Sequence, residues 1–233
     1  MNHLSNVTGY ILPIDRLSAL THQYNGKIIC DGAQALGLIE VDLEKSKIDY
    51  YCFTGHKNLY GVFGCGGIMC RGELEIEPRL YGGTGSDSLN LKMPERGNLR
   101  YEASSPNVNA IGILETSIQW LMEKNIYEHE KNLTTYLVET LNQIDEIQLH
   151  LPSSKSHIAV VSFTVEGYKS SEVAEILDLD FNISVRSGYH CCPKIHQYLG
   201  DTESSGTIRI SLSYFNTKKD IDRIVAALEE LLV

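Results

Sequence analysis

The apolar positions of the chain follow two rhythms. In one they recur every three or four residues: Ile14, Leu17 and Leu20; Ile111, Leu114, Ile118 and Leu121; Leu133, Leu137, Leu141 and Ile144. That spacing lays one apolar stripe along a helix and predicts helices over 13–25, 107–125, 127–144, about 171–177 and about 218–232. In the other they form short runs bounded by turn residues, at 27–30, 50–53, 66–70, 147–151, 157–165, 182–186 and 207–213. Such runs read as strands. Pro13 suits a first helical turn, Asp15 its positive end and Gly26 its C-terminal cap. Asn216 or Thr217 caps the last helix. From Gly82 to Pro106 neither rhythm holds, and an irregular segment of that length in a folded domain is usually functional or disordered.

Alternation of strand and helix in the first half predicts an α/β layout, in which ligands bind beyond the carboxyl ends of the strands. Two polar clusters occupy those ends: Asp31-Gly32-Ala33-Gln34 after one strand and Thr54-Gly55-His56-Lys57 after the next. A domain boundary is expected in or near the helix that starts at Asn107, giving parts 1–106 and 107–233.

Composition narrows the function. The 233 residues, 42% apolar and 21% charged, suffice for a sizeable core. Thirty acidic against 20 basic side chains give a net charge of −10, which argues against a nucleic-acid or anionic-membrane partner. No apolar run approaches the ~20 residues of a membrane span, and the first residues lack the layout of a signal peptide. The six cysteines form no CxxC pair and read as reduced thiols, so a cytoplasmic location is expected.

Lys57 reads either as a solvated surface lysine or as a desolvated amine able to act as a nucleophile. Asp31 ends an adjacent strand, and a buried aspartate needs a partner, which a pyridinium nitrogen would supply. Cys191 reads either as a small buried hydrophobe or, in the polar loop 187–194, as a thiol whose pKa Arg186 and His190 lower. Two metal readings, one at Cys65 and Cys70 and one at His190, Cys191, Cys192 and His196, fit common zinc spacings poorly, so no metal site is expected.

Taken together, these segments resemble the class V aminotransferase family of fold-type I pyridoxal-phosphate enzymes, and within it cysteine desulfurases and selenocysteine lyases. The resemblance rests on Ser5-Asn6-Val7-Thr8-Gly9, Asp31-Gly32-Ala33-Gln34, Thr54-Gly55-His56-Lys57 and Gly64 to Gly67. It continues with Arg186-Ser187-Gly188-Tyr189-His190-Cys191 and with Gly206-Thr207-Ile208-Arg209 before Tyr214-Phe215-Asn216-Thr217. The intervals of 25 residues from Asn6 to Asp31 and 26 from Asp31 to Lys57 also fit.

The resemblance implies an α/β fold: part of the large domain of the aspartate-aminotransferase-like fold over 1–106, and a smaller α+β domain over 107–233 that includes the interdomain helix. It implies pyridoxal 5'-phosphate as cofactor. Lys57 would bond it covalently and later move protons. Asp31 would pair with the ring nitrogen and Gln34 with the ring's 3-oxygen, while Thr54, His56 and Ser105 would hold the phosphate. Asn6 and Arg209 would bind the substrate carboxylate. Cys191 would accept sulfur from L-cysteine, leaving a persulfide and alanine. A homodimer is implied, because Tyr81-Gly82-Gly83-Thr84-Gly85 and 101–107 resemble segments that reach a partner's active site. So is a sulfur-acceptor protein, iron–sulfur assembly being the usual family destination.

Three departures accompany the likeness. Ser104-Ser105 stands where Gly-Thr is usual, and Val62 where proline is usual. Family members also carry roughly another third of their chain before the Ser5-Asn6 segment, with a glycine-rich phosphate loop and a ring that stacks on the cofactor. Accordingly, the alternatives are a non-catalytic fragment, a half-subunit that needs a separate front part, or a selenocysteine lyase or other class V aminotransferase.

Overall fold

The computed structural model describes residues 1–83, 85, 89–154, 156–201 and 203–232. Thr84, within the expected partner-facing glycine segment, lies outside them. Two units emerge, Met1 with Pro13–Lys124 and Asn2–Leu12 with Asn125–Val233. Each is described by itself.

In the first unit, helix α1 (Ile14–Gln23) precedes strand β1 (Ile29–Asp31), a short helix α2 (Leu43–Ser46), strand β2 (Tyr50–Thr54), strand β3 (Gly66–Cys70) and helix α3 (Val108–Met122). The strands form one sheet in the order β1-β2-β3. β1 and β2 run parallel, with Asp31 opposite Cys52, whereas β3 returns antiparallel. The α/β alternation therefore stops at β2. Only the turn 55–65 links β2 to β3, too short for the helical crossover a parallel neighbour needs. Helix α1 ends at Gln23, two residues before the expected end at Asn25. Asn25 (φ 53) supplies the left-handed reversal expected of Gly26, whose N–H still donates to the Thr21 carbonyl at 3.0 Å. The described residues between 71 and 106 are irregular apart from one 3-10 turn, Asn98–Arg100.

The second unit contains α4 (Ile126–Leu141), β4 (Ile147–Leu149), β5 (Val160–Val165), α5 (Ser170–Leu179), β6 (Arg186–Gly188), α6 (Pro193–Leu199), β7 (Thr207–Ser211) and α7 (Lys218–Leu231). Its antiparallel sheet has the order β4-β5-β7-β6. Period-2 alternation divides the residues of this sheet between two faces. Val161, Phe163 and Val165 of β5, with Ile208 and Ile210 of β7, join the buried cluster built with α4, α5 and α7. On the other face Val160 is followed by polar Ser162 and Thr164 along β5, and β7 places Thr207 and Arg209 there. The expected strand over 182–186 forms only at its end. Asn182 turns through φ 52, and Ile183 and Val185 pack on the core cluster instead of joining a ladder. Thr217, not Asn216, caps α7; its N–H donates to Asp220 Oδ2 at 2.7 Å. Among the described residues no helix is long and apolar enough to cross a membrane.

Candidate functional site

Parallel pairing carries the ends of β1 and β2 to the same edge of the first sheet, so Asp31 and Thr54 leave it together. The Asp31 carboxylate accepts the Ala33 N–H at 2.9 Å and starts the turn 31–35. Gly32 admits no side chain there, because a Cβ would collide with the Tyr51 ring. The Asn58 amide donates to the Gln34 carbonyl at 2.6 Å and ties this turn to the loop after β2. At Gly37 (φ +94) a Cβ would collide with the Asn58 carbonyl, which shows how closely the two loops approach. The loop after β2 closes on itself: Gly55 N–H donates to Cys65 O at 2.9 Å and Gly61 N–H to Gly55 O at 2.8 Å. Within it the Thr54 hydroxyl lies 2.8 Å from His56 Nδ1, and the His56 ring stacks on Phe63 at 4.4 Å.

Asp31 and Lys57 are both exposed. Burial therefore supplies neither the desolvated amine nor the costly unpartnered carboxylate expected from the sequence; a β1 of three residues, alternating exposed and buried, places Asp31 outward. Ser105 is also exposed, on the irregular segment, and Ser104 before it adopts φ 75. Ser104 thus holds a left-handed conformation, which glycine adopts more readily, although a side chain is present.

In the second unit the polar face of the sheet and the turn 5–9 build another cluster. Ser5 Oγ accepts the N–H groups of Val7 and Thr8, and Gly9 (φ +65) passes so close to β5 that a Cβ would lie 2.5 Å from the Val160 carbonyl. Ser162 Oγ donates to the Val7 carbonyl at 2.6 Å. Asn6 is thereby fixed. Its amide donates to the His190 carbonyl at 2.6 Å, and its own carbonyl accepts from Arg209 Nη1 at 2.9 Å. Arg186 stands opposite Arg209 in the β6–β7 ladder and donates to Cys191 Sγ at 3.1 Å. Two adjacent guanidinium groups make this a place for an anion. Arg209 Nε is a buried donor with no hydrogen-bond partner among the described residues, and burial together with the Arg186 charge lowers the Arg209 pKa.

Cys191 is the exposed cysteine of the six, whereas Cys30 is buried and its thiol pushed up to about 11. His190 does not provide the positive charge expected beside Cys191. It is buried, its Nε2 lies 2.8 Å from Thr207 Oγ1, and burial with the Arg209 charge pushes its pKa down to about 4. Of the two, Arg186 is the one that contacts the thiol. No cluster of three or more metal-ligating side chains occurs among the described residues.

Thr54 and His56 are thus brought together, with Gln34 tied to the same loop. Asn6, Arg186, Cys191 and Arg209 are brought together in the other unit. Sequence reasoning missed Asn58, Thr207 and helix α6. Asn58 and Thr207 act through single long-range hydrogen bonds, and a seven-residue helix carries too little periodicity to be read.

The family model for aminotransferase class V matches residues 1–224. A Halobacterium salinarum protein named "Probable cysteine desulfurase" is 33% identical over 98% of this chain, which spans 55% of that relative. The apo structure of a cysteine desulfurase from Thermococcus onnurineus superimposes with a TM-score of 0.90 at 30% identity, over 99% of this chain and 58% of that one. The Escherichia coli cysteine desulfurase CsdA, solved as the S-sulfonic acid, gives 0.87 at 27% identity, again over 58% of its length. The chain therefore spans little more than half the length of the relatives it matches and shares the fold of cysteine desulfurases over that span. From residue 1 to residue 224 it belongs to the aminotransferase class-V family.

Proposed function

We propose that the chain carries the cofactor-anchoring and sulfur-accepting residues of a cysteine desulfurase that converts L-cysteine and a protein thiol to L-alanine and a protein persulfide. The observation that carries this reading is the placement of the exposed thiol of Cys191 within 3.1 Å of one guanidinium, on a strand paired with that of a second, Arg209. A sulfur acceptor and a carboxylate binder thus share one sheet face.

The donor set after β1 and β2 suits pyridoxal phosphate. Asp31 offers a carboxylate for the ring nitrogen, Gln34 an amide for the 3-oxygen, Thr54, His56 and Ser105 donors for the phosphate, and Lys57 an amine for the aldehyde. Gly32, where any Cβ would meet Tyr51, leaves the turn after Asp31 without a side chain. When bound, the cofactor supplies an electron sink for the Cα of an amino acid. Lys57 holds it and takes the Cα proton. Arg209 binds the substrate carboxylate through its planar fork, and Asn6 helps to orient it. Arg186 stabilises the Cys191 thiolate, which attacks the substrate sulfur. The S–S bond forms as the substrate C–S bond breaks, and reprotonation at carbon gives alanine.

By function, residues 1–106 serve as the cofactor-binding part and 107–233 as the small part with its interdomain helix, a division distinct from the packing, which groups α3 with the first unit and residues 2–12 with the second. The protein works in the cytoplasm as a homodimer and delivers sulfur to an acceptor protein. The test combines purified chain, pyridoxal phosphate and L-cysteine. Alanine release and a Cys191 persulfide by mass spectrometry are expected, and Cys191→Ala lowers persulfide on the order of a thousandfold or more. A chain that binds the cofactor but yields neither product refutes the reading. Selenocysteine lyase or transaminase chemistry would instead survive Cys191→Ala.

A further inference from the structure

Consecutive residues in the Cys191 loop adopt an unfavourable backbone. His190 has φ 50 and Cys191 φ 60, both left-handed, and neither is glycine. Such conformations persist only where the surroundings over-determine them. On one side the restraints are the Asn6 amide on the His190 carbonyl and Thr207 on the His190 ring. Cys192 N–H closes the turn on the Tyr189 carbonyl at 2.8 Å.

On the other side lies a pair of residues that the proposed chemistry does not use. His196 of α6 and Asp201 are both almost wholly buried, and His196 Nδ1 meets Asp201 Oδ2 in a short hydrogen bond. Asp201 is held in turn: its carbonyl accepts Gly206 N–H at 3.1 Å and Ser204 Oγ at 2.9 Å. The Tyr189 ring stands edge-on to the His196 ring at 5.2 Å, and the His190 ring lies 5.8 Å from it. His190 Nδ1, His196 Nε2 and Asp201 Oδ1 are buried with no hydrogen-bond partner among the described residues. Burial of so many polar groups, only partly satisfied, costs stability. An apolar filling would avoid that cost.

We propose that His196 and Asp201 form a positioning pair for the Cys191 thiol. The pair locks α6 to Asp201, whose carbonyl is held by Ser204 and Gly206, and the fixed His196 ring backs Tyr189 and His190, which hold Cys191 in its left-handed conformation with Sγ at Arg186. The proposal rests on the reading of Cys191 as the sulfur acceptor.

Peptide-resolved hydrogen exchange of residues 189–192 and the rate of Cys191 alkylation by iodoacetamide test it on the full chain. His196→Leu should raise exchange in the loop about tenfold or more and change the alkylation rate several-fold, while β5 and β7 stay protected. His196→Asn, whose amide can replace the Nδ1 donor, should bring both back to within about threefold of the parent. Should His196→Leu fail to fold, Asp201→Asn, which keeps the size and loses the charge, should give the same pattern at a few-fold. Unchanged loop exchange, equal loosening of β5, or no recovery in His196→Asn overturns the proposal. Neither measurement needs cofactor or substrate, so absence of persulfide formation would count against the desulfurase reading alone.

Discussion

The cofactor-side residues and the thiol-side residues are held in place by different means. Asp31, His56 and Lys57 sit on two short loops after parallel strands; Asp31 and Lys57 are exposed, and these loops are held by backbone bonds, among them Asp31 N–H to Met1 O and Gly32 N–H to Cys52 O, and by the side-chain tie of Asn58 to Gln34, all within 30 positions. Asn6, His190 and Arg209 are fixed by hydrogen bonds between residues 155 to 203 positions apart or by buried side chains such as Thr207. The first group is displayed by a sheet edge. The second is wired into the fold, so its geometry and the stability of its unit cannot be altered independently.

That contrast can be broken most strongly by pH. The folded unit keeps His190 neutral down to about 4, while the unfolded chain protonates it near 6.5. Unfolded chain therefore binds more protons in this window. The contribution to stability is complete above pH 6.5 and is lost as pH falls toward 4, by up to about 3 kcal/mol. His150 and His157, lowered by burial, add in the same direction. Hydrogen exchange of β5 and β7 from pH 7.5 to 4.5 should show this decline, and His190→Gln should flatten it; parallel slopes would contradict the account.

A smaller effect is expected at Gly9. Alanine there combines φ +65 with a Cβ 2.5 Å from the Val160 carbonyl, and should cost the second unit roughly 2 kcal/mol in urea unfolding. It should also loosen Asn6, seen as faster exchange at residues 5–9. Parent-like stability would show that the turn 5–9 does not depend on its close approach to β5. The smallest effect belongs to the displayed group. Lys57→Ala should move stability by no more than about 0.5 kcal/mol, because the side chain is exposed, while abolishing the visible absorbance of chain mixed with pyridoxal phosphate. A large destabilisation would show that Lys57 carries a structural load.

Long periodic segments were legible in the sequence. The stripes of α3, α4 and α7 and the apolar run of β5 each match their elements within a few residues, because burial of one face writes itself as a repeat. The site motifs were legible as types: Asp31, Thr54 and His56 at strand ends, and Arg186 beside Cys191. What local reading misjudged was environment. The local pattern makes His190 a source of positive charge near the thiol, yet burial and Arg209 keep it neutral. A strand-end position makes Asp31 a buried carboxylate, yet it is exposed and accepts the Ala33 N–H.

By itself, then, the sequence determined the family, the helical and strand segments and the identities of the reacting groups, since residue chemistry and hydrophobic period are local properties. Only the tertiary structure decided that β3 runs antiparallel, that Arg186 faces Arg209, and that His196 meets Asp201 behind the Cys191 loop. Those outcomes depend on pairing between residues distant in the chain and on how far each charge is removed from water, which no short segment encodes.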